Sequence, residues 1–363
     1  MTKDERAAYQ LELRGAAKRL GLSSRGDIEA RIVQHLTERV RGWMGAHGQP
    51  DNLGDLLELV ATSLDLEIVE IHSDDDLDAL LERIPPTREP VFAVLATELD
   101  DRTDAIVLQR QHRADPSEMP YLAVVNCKGW HRFRSYFSKW HEIVHLLLDG
   151  AQLRFAFRTT PIEHKHPEEV LVDKIAGVLA FHPDIFEPVL SKEIARAGRL
   201  TFDVVDKVRQ QVAPDASRHS TLLACIRHCS QPVCLFKVVL GLKKREERQL
   251  FDLLAGLNEE KVPTEKPRVR EPSASPALRR LGIRLHSNME VPRASVVMSM
   301  FETPTSPSCD GRERLEIWRT SSSGPVGRGP AHVEARRFGE QLWCLLTCLP
   351  GVRDAGACRV LSS

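Results

Sequence analysis

The sequence predicts an α+β protein, on three observations. Residues up to about Gly48 place apolar side chains at helical spacing. From Pro90 to Asn126 the period shortens to that of extended chain. Past about Ala277 extended runs return, after a stretch of mostly helical pattern. Residues three and four apart share a helix face, and residues two apart share a strand face, so these periods separate the two kinds of element.

Taken in order, Asp27 to Trp43 sets Ile28, Ile32, Val33, Leu36 and Val40 on one stripe and reads as an amphipathic helix. Gly45 to Asn52 breaks it, Leu53 to Leu64 reads as a second helix, and Leu66 to Ile71 as a short strand. Val91 to Leu95, Ala105 to Gln109 and Tyr121 to Val125 are β-prone runs that predict a small antiparallel sheet. Arg132 to Leu148 follows as a helix with Phe133, Phe137, Trp140, Val144, Leu147 and Leu148 on its apolar side, and Gly150 stops it. Thr159 to Pro167 is a polar loop. Pro167 suits a helix start, so Glu168 to Phe181 is the next helix, ended by Pro183.

Helical pattern resumes from Phe202 to Leu242, including Val233 to Leu240, and a short helix follows to near Leu257. Glu259 to Pro276 is rich in Pro, Lys, Glu and Ser and reads as a linker. Beyond it, Ala294 to Met300, Arg314 to Thr320 and Ala331 to Arg337 are β-like, Gly324 to Pro330 is a hairpin loop, and Gln341 to Leu349 is apolar. The expected organisation is a helical part over 1–89, a core over 90–200, a helical and helix-turn-helix-like segment over 201–258, a linker over 259–276, a small α+β domain over 277–349, and a loose tail over 350–363.

A net charge of -1 gives no global field toward nucleic acid or membrane. No apolar run has transmembrane length and the start lacks a signal-peptide core, so a cytoplasmic protein with no membrane partner is expected. The eight cysteines then read as reduced thiols. Cys225, His228, Cys229 and Cys234 cluster in sequence, but their spacing is not that of a metal knuckle, and they read as buried core.

The chemistry concentrates in His141-Glu142-Ile143-Val144-His145. His141 and His145 lie four apart on the predicted helix and present two imidazoles to one metal ion. Glu142 projects beside them, placed to act on a water rather than to ligate. Glu169 and Asp173 are again four apart, so Glu169 can complete the ligand set while Asp173 hydrogen-bonds a ligand imidazole from behind. Two histidines and a carboxylate with an open position suit catalytic zinc, with manganese as the other candidate. An HExxH string alone arises by chance in on the order of one in a hundred chains of this size; the second acidic pair is what sharpens it. Glu168 is the close rival of Glu169, but only Glu169 shares a face with Asp173. His164 and His166 lie in the polar loop, and His182 is too far along its helix to reach the same ion. Leu148 and Ala151 exclude the longer three-histidine pattern. For the oxyanion, Tyr121, Tyr136, His164 and His166 stay open.

From about Pro90 to Pro183 the chain resembles the ImmA/IrrE family of metallopeptidases. The resemblance rests on the run Tyr121 to Asn126, the upstream Arg132-Phe133, His141-Glu-Ile-Val-His145-Leu-Leu-Leu148, and Glu169-Val-Leu-Val-Asp173-Lys-Ile-Ala176 closing at Pro183. Val144 stands where many members have Gly, Trp140 replaces a small residue, and His182 stands where Met is usual. The resemblance implies a zincin-like core, a small sheet plus the HExxH helix, in a regulator that relieves repression by cutting a helix-turn-helix repressor. In layout, 201–258 and 277–349 are similar to the helical segment and GAF-like sensor domain of the radiation-response branch. The rival readings are a DNA-binding or ligand-sensing regulator with an inactive peptidase core, motivated by Lys207, Arg209, Arg218, Arg227, Lys243, Lys244 and Arg245, and a toxin-antitoxin component.

Overall fold

The structure is a computed structural model that describes residues 3–85, 87, 92, 99, 103–110, 115–149, 155–159, 166–254, 262–303, 305–320 and 324–351. It is α+β, and the chain divides into two compact units, Met1–Pro188 with Arg209–Thr221, and Val189–Val208 with Leu222–Ser363. Among the described residues no helix is long and apolar enough to cross a membrane.

The first unit opens with α1 (Lys3–Arg19), α2 (Ile28–His47) and α3 (Leu53–Ser63). Asp27 caps α2 by accepting from the Ala30 N–H, and Asn52 caps α3 by accepting from Gly54 and Asp55. Both predicted helices form, with Ile28, Ile32, Leu36 and Val40 buried as the stripe requires. β1 (Leu66–Ile71) and α4 (Asp74–Arg83) follow, the latter started by a Ser73/Asp76 capping box.

β1 joins β2 (Thr103–Gln109), β3 (Tyr121–Asn126) and β4 (Phe155–Thr159) in a sheet of order β1-β3-β2-β4. The sheet is mixed rather than antiparallel, because β1 runs parallel to β3, from Leu66 opposite Tyr121 to Ile71 opposite Asn126. Parallel neighbours need a long crossover, and the chain between β1 and β3, which includes α4 and β2, supplies it. The expected strand Val91–Leu95 lies outside the described residues except for Phe92, which is helical and buried. Ile71, Ile106, Leu108, Leu122 and Val124 form one core with Leu77 and Leu80 of α4.

α5 (Ser135–Asp149) packs against β2 and β3 and carries the HExxH string. It starts later than predicted because Gly129–Phe133 forms a 3-10 turn first, entered through Gly129 at φ 55. Phe133 sits in that turn and is 60% exposed instead of joining the apolar side. From Trp140 to Leu148 every α5 side chain is buried, so this is a central helix and not a surface one. α6 (Pro167–Leu179) packs beside it, with Pro167 in the first turn as predicted, and α7 (Pro183–Ala197) follows.

α8 (Phe202–Val212) and α9 (Arg218–His228) precede the second sheet. Here three expectations are corrected. Val233–Gly241, expected within the helical segment, is strand β5, the second strand of a five-stranded antiparallel sheet that runs in the order β6 (Lys266–Ala274), β5, β11 (Gln341–Cys348), β10 (Pro330–Phe338) and β7 (Ser308–Arg314). A short continuous apolar run does not distinguish a buried strand from a buried helix, and this one lies between β6 and β11. The expected linker contains β6 (Lys266–Ala274) and leads through Ser275 into α11 (Pro276–Arg280). β6 is an edge strand, where Pro267 and Pro272 are tolerated, and a bulge opposite Phe236 places Glu271 at φ 48. Ala294–Met300, expected as strand, supplies the 3-10 turn Val296–Met298 and the start of α12 (Ser299–Glu302).

α10 (Lys244–Leu254), β7 (Ser308–Arg314), the ribbon of β8 (Arg319–Thr320) and β9 (Gly324–Pro325), β10 (Pro330–Phe338) and β11 (Gln341–Cys348) complete the unit. The run Arg314 to Thr320 is not one strand; the 3-10 turn Leu315–Ile317 divides it. Phe236, Trp318, Val333 and Leu346 are among the core residues. The expected loose tail lies outside the described residues from 352 onward.

β6 is held by its ladder to β5 and by Arg268, which is fully buried. Its Nε donates to the Gly241 carbonyl at 2.8 Å and its Nη2 to Glu246 at 2.8 Å. Arg268→Ala strands those acceptors and opens a void, and we expect a loss of about 2–4 kcal/mol. Urea unfolding followed by Trp fluorescence checks this; a midpoint equal to the parent's would show that β6 does not depend on Arg268.

Candidate metal centre

α5 and α6 bring the predicted residues together. His141 and His145 project from one face of α5, and their rings lie 4.9 Å apart. Glu169, in the first turn of α6, places Oε2 3.0 Å from His141 Nε2 and Oε1 3.4 Å from His145 Nε2. The two Nε2 atoms are 3.1 Å apart. All three residues offer ligand atoms within 4.8 Å of one another. Two ligands of a tetrahedral ion at the usual zinc bond lengths sit about 3.3 Å apart, so the donor set and its spacing fit a zinc-sized cation.

Asp173, one turn beyond Glu169, has Oδ1 3.0 Å from His141 Nδ1. With Nδ1 held by that carboxylate, Nε2 is the ring nitrogen of His141 that faces Glu169 and His145, where it would offer its lone pair to a metal ion on losing its proton. The spacing left open which imidazole Asp173 orients, and the structure selects His141. Glu142 is fully buried beside the two histidines on α5.

The rivals separate. Glu168 has its carboxylate 4.0 Å from the imidazole of His166, whose side chain is 72% exposed. His164 lies outside the described residues. His182 is buried near the Thr37 carbonyl and accepts from the Asp184 N–H at 3.4 Å, which places it at the start of α7. Tyr136 donates its hydroxyl to the Ala180 carbonyl at 2.6 Å, and burial pushes its phenol pKa upward. It is therefore a tie between α5 and the end of α6, not an oxyanion donor. Tyr121 opens β3 and its N–H donates to the Asp65 carbonyl.

Burial pushes the Glu169 carboxyl upward, but hydrogen bonds from His141 and His145 and their charge outweigh it and hold the group well below the usual carboxylate range. An ionised carboxylate is what a metal ligand requires.

Two arrangements escaped the sequence. Asp104 of β2 meets His131 at 3.0 Å and Arg134 at 3.2 Å, fixing the turn that leads into α5. Glu70, His72 and Cys127 also cluster within metal-ligand reach, because parallel pairing sets the end of β1 beside the end of β3. That cluster suits an ion poorly. Lys139 already sits 2.5 Å from Glu70, and burial, with the Glu70 charge, pushes the Cys127 thiol up to about 12. No local spacing links Cys127 to Glu70 and His72, so only the sheet could reveal the cluster.

The ligand set gives a direct expectation. His141→Ala or His145→Ala removes most bound zinc, Glu169→Ala weakens binding, and Glu168→Ala leaves it intact. Asp173→Asn lowers affinity by about 10–100-fold. Metal content after dialysis against a chelator buffer checks the series; loss of metal in Glu168→Ala with retention in Glu169→Ala would reverse the assignment.

No protein-family profile matches the chain, and no curated protein matches it. Among solved structures, a Mycobacterium tuberculosis transcriptional regulator aligns over 94% of this chain and 81% of its own at 11% identity, with a TM-score of 0.40. At that level of similarity, function must be argued from this chain's own residues.

Proposed function

We propose that the protein is a zinc-dependent endopeptidase that cleaves a protein substrate, a helix-turn-helix transcriptional repressor, to induce a stress or mobile-element response. The observation that carries the peptidase reading is the convergence of His141, His145 and Glu169 beside a buried Glu142. The repressor as substrate rests on the resemblance to the ImmA/IrrE family.

His141, His145 and Glu169 would hold a zinc ion, which would supply Lewis acidity at a peptide carbonyl and acidify a water. Glu142 takes the proton from the attacking water and passes it to the amine nitrogen as the peptide C–N bond breaks. Asp173 holds His141 in the tautomer that leaves Nε2 free and keeps its ring from turning. β1 and β4 are the sheet edges, and an extended substrate segment can add to an edge through main-chain hydrogen bonds.

A regulator with an inactive core has no need of a base at position 142. One member of the basic set that motivates the DNA-binding reading is also committed elsewhere. Arg209 donates to the carbonyls of Pro214 and Ala216, closing the turn between α8 and α9.

Glu142→Gln keeps the metal ligands and nearly the same volume while removing the base. We expect normal metal content and a loss of cleavage of about 10²–10⁴-fold. The assay is co-incubation of purified protein, zinc or manganese, and the repressor encoded beside its gene, read on a gel. Full cleavage by Glu142→Gln sinks the mechanism, and no cleavage by the parent with either metal favours the inactive-core reading.

A further inference from the structure

The second unit holds a cavity of about 760 Å³ that the peptidase chemistry does not use. Four cationic side chains line it: Lys243, Arg245, Arg293 and Arg319. Among the described residues Arg245, Arg293 and Arg319 have no ion-pair partner, while Lys243 shares the charge of Glu246 with Arg268. The acid among the lining residues, Glu290, already has Lys266 Nζ 3.3 Å away. Like charges gathered in one concavity repel each other and focus a positive potential into it, which an entering anion relieves.

The wall is rigid. Buried Arg268 reaches from β6 to the Gly241 carbonyl and Glu246 on one side and to the Asn288 carbonyl on the other. The chain at 288–291 zips along β6: Asn288 N–H donates to Val269, Val269 N–H to Met289, and Val291 N–H to Pro267. Lys243 stands just ahead of α10, Arg245 in its first turn, Arg319 in β8, and Arg293 two residues past the zipped segment, so the backbone that carries them is in place before any ligand arrives, which lowers the ordering cost of binding. Asn288 also lines the cavity, in the left-handed region at φ 70. Its Oδ1 is buried with no hydrogen-bond partner among the described residues, an acceptor that a ligand hydroxyl or N–H could satisfy. Val291 and Ile317 add apolar surface.

We propose that this cavity binds a phosphorylated small molecule that also carries hydroxyl or N–H donors, such as a nucleotide or a sugar phosphate. Three guanidinium forks match phosphate oxygens better than a single carboxylate, and four positive charges call for a multiply charged anion. The volume lies within the range of ordinary small-ligand pockets.

The test is calorimetric titration of the full chain with ADP and, separately, inorganic pyrophosphate at physiological salt. We expect saturable one-site binding of at least one probe. Arg293→Gln and Arg319→Gln should each weaken it by about tenfold or more. Arg14→Gln, an exposed arginine on α1 in the other unit, and the peptidase variant Glu142→Gln should leave it within about twofold, below what loss of a charged hydrogen bond produces. Both arginines are exposed, so thermal melting without ligand should match the parent in each variant. Failure of both probes to saturate at millimolar concentration overturns the proposal, as does equal weakening by Arg14→Gln. Duplex DNA that binds and loses affinity in the same two variants, while neither small probe binds, overturns it in favour of a nucleic-acid surface.

Discussion

The protein places two histidines and a glutamate on a helix that is buried on all sides over that stretch, and the first unit depends on how those groups are satisfied. His141, Glu142 and His145 are at most 2% exposed. Polar groups taken out of water cost free energy unless they find partners. α6 supplies two of those partners, since Glu169 meets both imidazoles and Asp173 meets His141 from behind. The register of α6 against α5 is therefore fixed by chemistry as well as by packing, since a slip of one turn would break all three contacts.

The rest of the unit secures that register. Lys174 of α6 reaches Glu29 of α2 at 2.9 Å and the Tyr9 hydroxyl of α1 at 3.0 Å, tying α6 to both N-terminal helices. Tyr136 and Lys139 tie α5 to the Ala180 carbonyl and to Glu70 of β1. Asp104 secures the turn ahead of α5 through His131 and Arg134. The N-terminal helices and the sheet thus act on the candidate site by position, with the polar contacts spaced along α5 and α6 so that neither helix can rotate freely.

The second unit solves a different problem. Its sheet closes on β6, an edge strand poor in apolar side chains, and the solution is a buried guanidinium. Arg268 collects the Gly241 carbonyl, Glu246 and the Asn288 carbonyl around one side chain. The same contacts hold the start of α10, beside Lys243 and Arg245, on one side and the 288–291 segment that leads to Arg293 on the other, so the strand that composition disguises as a linker also builds the wall of the cationic cavity.

Much of the site was legible in the sequence because helical spacing is a local property. Residues four apart meet on one face wherever the helix lies, so His141 with His145, and Glu169 with Asp173, follow from the chain alone. The helices α2, α3 and α6 were legible for the same reason, and Pro167 marked the start of α6; the caps Asp27 and Asn52 came with the structure. What tertiary structure decided was everything that depends on a partner distant in sequence. It chose His141 as the imidazole that Asp173 orients and withdrew Tyr136 from the oxyanion candidates. It set β1 parallel to β3, made Val233–Gly241 a strand, and ordered Lys266–Ala274 by main-chain pairing and the buried Arg268. Side-chain pattern reports which surfaces want burial, whereas backbone hydrogen bonds between distant segments carry almost no side-chain signature, and those bonds gave this chain its second sheet.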